Sequence, residues 1–593
     1  MSRYIFDVET DGLLHELTKV HSLVLYEVDE QITYSVHGDE LEYWVRKMME
    51  ADELIGHNIT AFDLLALQKV YPWFTYDLDK VTDTLVLSRM LFPTIDEWDR
   101  TKGRDKVPPK RRGSHSLEAW GYRLGILKGE FGKTTDWAEW SPEMQEYCEG
   151  DVRVNSAVYA RFQQEGWSQQ ALTMEVWFQH IMALQEQHGF PFDRNKAVNL
   201  YTKLIAERQE IDKEIAPMIP DWYVDLGTFV PKVNSEKIGY TVGVELSKVK
   251  HVSFNPGSRM QIGDRLQKLL GWKPTVFTPG GQPQIDEDVL ATIDHPLAQL
   301  LAKRFLIDKR ISQLSEGQGA WLRLEREGRI HGYVNTLGTV TGRCSHSSPN
   351  MAQVPAVRSL YGAECRELFY APEGWVQVGA DASGLELRCL GHYMARFDGG
   401  AYINILLNAD VHTENQKAAG LDTRDQAKTF IYAFLYGAGD EKIGSIVGKG
   451  SRAGSNLKKS FLNKTPALKK LRELVIHKVK TQGYLTGIDG RKLHVRSEHA
   501  ALNVLLQSAG GLLVKYATVW LYKELLDHGY KWGTDFVFVA HVHDEYQLQC
   551  RKEIAETVGE LAVEAFRKAG EMFNWRCPLD GEYKIGSNWA ETH

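Results

Sequence analysis

The sequence has few cysteines and no long apolar run. Its six cysteines, in 593 residues, form no CxxC pair, which gives no support to a zinc ribbon or a disulfide framework and favours free thiols in a reducing compartment. Asn503, Gln507, Ser508 and Lys515 interrupt the most apolar stretch, residues 502–522, so we expect no transmembrane helix. The acidic start MSRYIFDVETD is unlike a secretory signal, and we expect a cytoplasmic protein.

Low-complexity segments and internal repeats are also missing. Hydrophobic residues make up 43% and charged residues 25% of the chain, which is close to the globular average. This composition argues against disorder, collagen and coiled coil over most of the length. At roughly 100–200 residues per domain, the length suggests about three to five domain-sized units.

The charge balance is uneven along the chain. The net charge of −8, from 70 basic and 78 acidic residues, argues weakly against a nucleic-acid partner. However, Lys442–Lys480 holds eleven Lys or Arg against one acid, and Arg100–Arg112 holds seven against one. Local basic patches on an acidic chain are typical of a protein that binds a polyanion along its basic surface and binds metal ions with its carboxylates. Each patch alone could equally be a solvated charged face.

Sequence patterns give a coarse secondary structure. The first 150 residues read as α/β, with short strands at 5–10, 22–28 and 32–38. The spacing of apolar residues predicts helices over 41–50, 61–70, 142–165 and 175–215, and mainly helix over 285–327 and 410–480. Residues 216–252 are β-branched with little helical period. A strand followed by a helix is predicted over 366–393, and a hairpin-like strand pair over 536–550.

Four carboxylates and a tyrosine form a first constellation. Asp7 and Glu9, at i and i+2 on a predicted strand, share one face, and Tyr147 and Asp151, at i and i+4, share a helix face. Asp63 lies in HNITAFD, where Asn58 could cap a helix. Four oxygen ligands suit two Mg²⁺ or Mn²⁺ ions, which can bind the attacking water and the leaving oxygen of a phosphodiester. Each acid alone would more often be an ordinary surface residue.

The order and spacing of these residues resemble the three motifs of DEDD-type 3′–5′ exonucleases of the tyrosine-bearing subclass. The resemblance covers roughly residues 1–165. It implies that the four carboxylates hold the metals and that Tyr147 positions the nucleophile.

A second constellation consists of two distant acidic turns and a basic helix. Asp381 ends the apolar run in VGADASGLELR, and Asp544 and Glu545 lie at a tight turn in VAHVHDEYQLQC. Between them, Arg424 and Lys428 are one helical turn apart and could hold the oxygens of a triphosphate. Two carboxylates could hold two metals for nucleotidyl transfer. Each motif alone would more often be structural.

The ordered triple resembles motifs A, B and C of family A (Pol I-like) DNA polymerases. Further segments resemble the replicative polymerases of short-tailed phages of the T-seven type: TVTGR (339–343), PNMAQVP (349–355), DASGLELRCLGHYMARFD (381–398), FLYGAGDEKIGSIVG (434–448), DGRKLHVRS (489–497), LLQSAG (505–510) and the final NWAETH. The resemblance covers nearly the whole chain.

The resemblance assigns a role to each matching position. It implies that Asp381, Asp544 and the Ala382 carbonyl bind two Mg²⁺ ions, with Mn²⁺ a possible substitute, and that Glu545 lies beside the primer terminus. Glu386 resembles a steric gate against ribose. Arg424, Lys428 and His412 would hold the triphosphate, and Tyr432 would read the 3′ region of the sugar. Arg343 and Gln507 resemble minor-groove readers, whose donors can meet acceptors present at every correct base pair. Tyr436 would pack at the template side.

The family also implies a fold class. We expect an α/β exonuclease domain (RNase H-like, mixed sheet) followed by an α+β right-hand polymerase domain of palm, fingers and thumb. The predicted boundaries are 1–175 for the exonuclease, 176–317 for the thumb with a short tip insertion at 216–252, 318–393 for the first part of the palm, 394–503 for the fingers, and 504–593 for the second part of the palm.

The expected activity is template-directed DNA synthesis with 3′–5′ proofreading in phage genome replication. The expected partners are primer–template DNA, dNTPs, a phage helicase–primase and a single-strand binding protein, with no membrane. Thioredoxin-dependent relatives carry a large basic thumb insertion, and the short 216–252 segment argues against host thioredoxin here. The alternatives are a nuclease that only binds DNA through its C-terminal region, a single-subunit RNA polymerase, and a non-enzymatic clamp. The second constellation weighs against a nuclease that only binds DNA. The attached exonuclease and Glu386 weigh against an RNA polymerase. The retained carboxylates at both sites weigh against a non-enzymatic clamp.

Overall fold

A computed structural model describes residues 2–126, 137–278 and 280–593. The chain folds into two compact units. The first consists of the residues up to Pro191, Arg329–Gln353 and Phe369–His593, and the second of Phe192–Gly328 and Val354–Leu368.

The N-terminal part of the first unit is an α/β layer structure. A mixed five-stranded sheet has the order β3-β2-β1-β4-β5, in which β1 runs antiparallel to β2 and parallel to β4. Apolar side chains of the sheet pack against α6 and α7 in one core. The elements are β1 Arg3–Thr10, β2 Val20–Glu27, β3 Ile32–His37, α1 Leu41–Met49, β4 Glu53–Gly56, α2 Asp63–Val70, β5 Val81–Asp83, α3 Thr84–Leu91, α4 Ile95–Arg100, α5 Leu117–Leu124, α6 Pro142–Gln163, α7 Gln169–His188 and β6 Phe190–Pro191.

The predicted helical stretch 175–215 is interrupted. Gly189 has a positive φ of 69° and Pro191 follows it, so the backbone leaves the helix and Phe190 pairs with Ile330 instead. At the start of α6, Ser141 caps the helix through its hydroxyl and Pro142 occupies the first turn, as the sequence predicts.

The second unit is mainly helical. Its segment 222–252 forms a two-stranded antiparallel hairpin, which accounts for the β-branched composition of this region. The elements are α8 Arg194–Ile215, β7 Trp222–Phe229, β8 Leu246–Val252, α9 Arg259–Leu270, α10 Glu287–Ala291, α11 Pro296–Ile311, α12 Trp321–Leu324 and α13 Gly362–Arg366.

The C-terminal part of the first unit is built on a four-stranded antiparallel sheet of order β15-β16-β12-β17. Helices α21 and α22 pack with it in a large apolar core. The elements are β9 Arg329–Ile330, β10 Tyr333–Asn335, β11 Ser345–Ser347, β12 Trp375–Ala382, α14 Leu385–Asp398, α15 Ala401–Asn408, α16 Val411–Ala419, α17 Arg424–Leu435, α18 Asp440–Ser445, α19 Ser451–Lys464, α20 Pro466–Gln482, β13 Tyr484–Thr486, β14 Lys492–His494, α21 Ala501–Asp527, β15 Phe536–Val542, β16 Glu545–Arg551, α22 Ala555–Met572 and β17 Gly581–Gly586.

One helical stretch, Glu498–Asp527, is long and apolar enough to cross a membrane by length and composition. Within it, 83% of the most apolar window is buried inside the protein. Lys515, at 1% exposure, lies in this window and is held by Glu175 of α7. The stretch therefore packs as a core helix of the C-terminal sheet.

Candidate active sites

The structure brings the first carboxylate cluster together at the edge where β1 ends. Asp7 and Glu9 lie on β1, Asp63 is the first residue of α2, and Asp151 lies on α6, which packs against β1. The backbone N–H of Val8 donates to Asp63 Oδ1 at 3.2 Å. Four acids from three separate segments therefore converge, as the sequence predicts.

Burial and like charges raise the pKa of one member of this cluster, Asp63. The pKa of Asp63 rises to about 7, first because the carboxyl is buried and then because the charges of Asp83 and Asp151 repel its ionised form. A divalent cation would offset this repulsion. The oxygen-rich donor set therefore fits a hard metal ion.

Tyr147 lies one helical turn before Asp151 on α6 and is half-buried. Its ring is 6.3 Å from the ring of Trp137, centroid to centroid, in a T-shaped arrangement. The phenol therefore belongs to the helix face that carries Asp151, as the spacing predicts.

Sequence reasoning missed Cys148. Its thiol donates to the backbone oxygen of Asp7 at 3.3 Å, and one ligand atom each from Asp7, Glu9 and Cys148 lie within 4.8 Å of one another. Burial and then the neighbouring carboxylates hold the pKa of this thiol well above its usual range. Its only sequence signal was its place next to Tyr147 in YCEGD.

Asp83 is a second residue that the sequence did not reveal. Its buried carboxylate accepts hydrogen bonds from the backbone N–H of Asn58 at 2.9 Å and from both the N–H and the hydroxyl of Thr60, at 3.1 and 2.7 Å. It also caps α3. Asp83 thus fixes the turn that leads to Asp63.

The expectation that Asn58 caps a helix is wrong. Helix α2 begins only at Asp63, and its preceding residue Phe62 provides no side-chain cap. Asn58 instead adopts a positive φ of 66° in the turn, a conformation that asparagine tolerates better than most residues.

The second carboxylate cluster lies where β12 and the β15–β16 turn meet. Asp381 pairs with Glu545 across the two strands, and the backbone N–H of Ala382 donates to the Asp544 carbonyl at 3.0 Å. His543, with a positive φ of 57°, makes the turn between the strands. Acids separated by more than 160 residues in sequence therefore become neighbours.

The two aspartates of this cluster have raised pKa values. Burial, followed by repulsion from Asp544 and Glu545, raises the pKa of Asp381 to about 7. Burial and then Glu386 raise the pKa of Asp544 to about 6. Clustered carboxylates with raised pKa values are typical of sites that hold divalent cations.

Glu545 differs from its two neighbours. Burial alone would raise its pKa, but hydrogen bonds hold that pKa below its usual range. The indole N–H of Trp589 donates to Oε1 at 3.0 Å, and the His593 ring nitrogen lies 2.7 Å from Oε2. The C-terminal segment therefore fixes the carboxylate of Glu545 in an ionised state.

Glu386 begins α14 beside this cluster and receives two hydrogen bonds on one oxygen. The Tyr436 hydroxyl donates at 2.9 Å and an Arg343 N–H at 3.3 Å. Gly511 lets Arg343 approach α21, because a Cβ at this glycine would lie 2.9 Å from Arg343 Cγ. Gln507 lies one turn earlier on α21 and is half-buried.

The basic helix is α17, which Thr423 caps in a capping box with Gln426. Arg424 and Lys428 are exposed on this helix. The ring of Tyr432, one turn further, lies 6.2 Å from that of His412 and 6.4 Å from that of Tyr436. The structure thus brings together the four residues that we expect to bind a nucleotide.

Asp410 was not foreseen in this group. Its carboxylate accepts from Arg424 Nε at 2.6 Å and from a terminal nitrogen at 3.2 Å. These bonds hold the pKa of Asp410 well below its usual range. Asp410 therefore occupies the guanidinium fork of Arg424.

Carboxylates that meet at the ends of the two central strands of an antiparallel sheet, together with a helix that carries exposed cations, are what the sequence motifs predict for a right-hand nucleic-acid polymerase. The sequence profile of DNA polymerase family A matches residues 239–591, and the chain belongs to this family. The DNA-directed DNA polymerases of Enterobacteria phage T3 and Escherichia phage T7 are each 39% identical to it, over 99% of this chain and 100% of the relative. These findings confirm the family that the sequence motifs indicated.

A solved structure agrees with this fold class. The POL domain of Pol1 from M. smegmatis, in complex with a DNA primer-template and dNTP, superposes with a TM-score of 0.74. The match covers 99% of this chain and 96% of that one, at 17% sequence identity. The predicted α/β exonuclease-type domain followed by a right-hand polymerase fold is therefore confirmed.

Proposed function

We propose that this DNA polymerase extends a primer on a DNA template at the second carboxylate cluster and removes mispaired 3′ nucleotides at the first. The observation that carries the proposal is the presence, in one chain, of two separate carboxylate clusters, in which the pKa values of Asp63 (first cluster) and of Asp381 and Asp544 (second cluster) are raised to about 6–7. Template-directed synthesis follows from the family, and proofreading rests on the first cluster.

At the second cluster, Asp381, Asp544 and the Ala382 carbonyl are the proposed ligands of two Mg²⁺ ions, with Mn²⁺ as a substitute. When bound, two such ions lower the pKa of the primer 3′-hydroxyl and neutralise the charge that develops on the leaving pyrophosphate. Glu545, which Trp589 and His593 hold in a fixed position, would provide a negative charge beside the reactants.

The incoming dNTP is proposed to bind along α17. Arg424, Lys428 and His412 would contact its phosphates, and Tyr432 would contact its sugar. Glu386, held by Tyr436 and Arg343, would exclude a ribose 2′-hydroxyl. Arg343 and Gln507 would contact the minor groove of the new base pair, where acceptors are the same in all correct pairs.

At the first cluster, Asp7, Glu9, Asp63 and Asp151 are the proposed metal ligands for hydrolysis of the primer terminus. Tyr147 would orient the attacking water. A mispaired 3′ end reaches such a site at low cost because unpairing a mismatched base takes only a few kcal/mol.

The proposed setting is phage genome replication in the cytoplasm of a bacterial host. A helicase–primase and a single-strand binding protein are the proposed partners, besides primer–template DNA and dNTPs. Host thioredoxin is not among them, because the 216–252 segment is a single short hairpin.

One gel tests the proposal. A labelled primer on a longer template is incubated with Mg²⁺, with and without dNTPs. We expect lengthening with dNTPs and shortening without them. Shortening in both lanes would leave only a nuclease, and lengthening with ribonucleotides instead of dNTPs would indicate an RNA polymerase.

A further inference from the structure

The basic segment Arg100–Arg112 contributes no residue to either carboxylate cluster. It contains seven Lys or Arg against the single acid Asp105. Arg100 and Arg111 form ion pairs with Asp96 and Glu118. Within the part of the chain that the structure describes, the other five cations form no ion pair; they are Lys102, Arg104, Lys106, Lys110 and Arg112. Among the residues that the structure describes, no acid forms an ion pair with these five cations, so the segment carries an excess of positive charge.

An apolar cavity of about 510 Å³ lies directly beside this segment. Four aromatic rings line it, from Phe92, Trp98, Trp120 and Tyr484. Its walls come from two distant parts of the first unit, the helices around α4 and α5 and the β13–β14 hairpin. The volume lies within the range of about 300–1,000 Å³ that is typical of small-ligand sites.

The basic segment is anchored to the wall of this cavity. The N–H of Gly103 donates to the Trp98 carbonyl at 2.9 Å. A Cβ at Gly103 would lie only 2.4 Å from the Trp98 ring, so the backbone of the segment presses against one face of the indole. Trp98 is nevertheless 37% exposed. Its ring thus stands between the unneutralised cations and the cavity.

The charged residues that line the cavity are all cationic. Arg123 is buried in an ion pair with Asp99, and Arg161 is paired with Glu165 and lies over the Phe92 ring. Lys492 is exposed, and its ammonium lies 5.6 Å from the centre of the Tyr484 ring. Aromatic walls beside the exposed ammonium of Lys492 match an aromatic ligand that carries negative charge.

A chain of contacts joins the cavity to the template side of the polymerase site. Gly437 directly follows Tyr436 at the end of α17, and a Cβ at Gly437 would lie 3.8 Å from the His499 carbonyl. In the same segment, Arg496 Nε lies 3.0 Å from Glu97 of α4. Trp98 is the next residue. Within the first unit, the segment that holds Arg496 and His499 therefore lies close both to the end of α17 and to the residue before Trp98.

We propose that the cavity and the segment Arg100–Arg112 form a subsite for the unpaired 5′ part of the template strand. One unpaired base stacks among the rings, and the flanking phosphates contact the exposed cations of the segment, Lys102, Arg104, Lys106 and Lys110. Only a single strand can do this, since the bases of a duplex are stacked and paired. This inference rests on the proposed function, because it assigns the place where the polymerase binds the single-stranded part of its template.

Binding to DNA with overhangs of different length tests the subsite. A blunt primer–template and duplexes with 5′ template overhangs of increasing oligo-dT length are titrated by fluorescence anisotropy without dNTPs. We expect affinity to rise with overhang length in the natural chain, and Trp98→Ala to lose about tenfold of this gain, since base–aromatic stacking contributes about that much. Blunt DNA should bind both proteins equally.

The chain offers a matched control for this substitution. Trp140 is 36% exposed, against 37% for Trp98, and lies outside the cavity. Trp140→Ala should leave the overhang gain unchanged. An affinity that does not depend on overhang length, or an equal loss in both tryptophan variants, would overturn the proposal and would leave the cavity to an apolar ligand or a protein partner.

Salt dependence tests the basic segment separately. Each phosphate contact on a single strand contributes about 0.7 to the slope of log affinity against log salt. Removing three cations together, in Lys102→Gln/Arg104→Gln/Lys106→Gln, should therefore lower the slope for overhang DNA by about 2. Lys531→Gln/Lys552→Gln, at exposed lysines far along the sequence, should not change it. An unchanged slope in the triple variant would contradict the assignment of the phosphates.

Photocrosslinking distinguishes this subsite from the proposed function itself. 5-Iodouracil at successive overhang positions should crosslink to Trp98 or Tyr484 from one or two positions only. Addition of one nucleotide on a template with a one-base overhang should proceed equally in the natural chain and in Trp98→Ala. If the natural chain extends primers but gives no such crosslink, the subsite is wrong; if it extends none, the proposed function is wrong.

Discussion

Lys515 Nζ lies 2.8 Å from each carboxylate oxygen of Glu175, and both side chains are fully buried. Arg491 adds a third charge, 2.6 Å from Glu175, and pairs in turn with Asp489. Lys515 also donates to the Thr336 carbonyl at 2.6 Å. Two cations and two anions therefore join α7, α21 and the β13–β14 hairpin in one neutral, buried network.

Breaking this network should be costly. Glu175→Gln leaves Lys515 and Arg491 with Asp489 alone, and removing one partner of a buried ion pair typically costs about 3–5 kcal/mol. We expect a loss of this size in the free energy of unfolding, measured in urea. Glu175→Gln/Lys515→Met removes one charge of each sign and should cost clearly less. Lys47→Met, at an exposed ion pair with Glu50, should leave the free energy of unfolding almost unchanged. Equal losses in the single and double variants would contradict a neutral network.

Separate variants should separate the two proposed activities. Asp381→Ala should abolish primer extension and retain shortening without dNTPs, because it removes a proposed metal ligand of one cluster only. Asp7→Ala/Glu9→Ala should do the reverse and raise the error rate without slowing correct addition. Both activities are measured on the same labelled primer. Retained synthesis in Asp381→Ala, or unchanged fidelity in the double variant, would contradict the assignments.

Asp83 should affect the first cluster without touching DNA. Asp83→Ala removes the acceptor for Asn58 and Thr60, so the turn before Asp63 loses its support. We expect exonuclease activity to fall at least tenfold while primer extension persists, since the loss of several buried hydrogen bonds amounts to a few kcal/mol. Asp83→Asn keeps one acceptor oxygen and should retain part of the activity. A parallel fall in both activities would indicate general unfolding instead.

Releasing Arg424 should strengthen nucleotide binding. Asp410→Asn keeps a side chain that can cap α16 but removes the charge that holds the guanidinium. We expect KM for dNTP to fall by a few fold, the effect of an exposed ion pair, with little change in kcat. Glu414→Gln, which removes an exposed ion pair with Lys417 on the same helix, serves as the control. A rise in KM would mean that Asp410 helps to orient Arg424 for the triphosphate.

Acid should destabilise the fold through buried neutral histidines. Burial lowers the pKa of His115 and His541 to about 3 and that of His180 to about 4. The unfolded chain, with histidine pKa values near 6.5, binds more protons between about pH 6.5 and 4, so stability falls as pH falls through this window. Each such group contributes up to about 1.4 kcal/mol per pH unit.

His180→Gln tests this pH dependence. We expect a shallower fall of the urea midpoint between pH 6.5 and 4 than in the natural chain. His528→Gln, at an exposed position, should leave the slope unchanged. An identical slope in His180→Gln would show that this imidazole is not neutral in the folded state.

Local pattern was sufficient for much of the fold. Strands predicted at 5–10, 22–28 and 32–38 are observed at Arg3–Thr10, Val20–Glu27 and Ile32–His37, because alternation and turn residues are properties of neighbouring positions. The hairpin predicted at 536–550 is confirmed by β15 and β16. The domain boundaries and the roles of the site residues stay predictions.

The contacts that could not be predicted from the sequence are those between residues distant in the chain. Lys515 reads as a polar break in an apolar stretch, but Glu175, 340 residues away, makes it a core residue. Asp83, Cys148 and Asp410 are ordinary residues until the fold places Thr60, Asp7 and Arg424 beside them. No periodicity reports such contacts, since each is set by how separate elements pack.

The strand order of the C-terminal sheet has a consequence for synthesis on the ribosome. β12, which carries Asp381, lies between β16 and β17, strands that follow it by more than 160 residues. The five strands of the N-terminal sheet are all present by Asp83. The N-terminal sheet can therefore form while translation continues. Strand β12, in contrast, cannot complete its pairing until residues 581–586 have been synthesised. Until then its apolar face stays exposed and prone to aggregation. Truncation before Gly581 should yield a nascent chain that depends on chaperones.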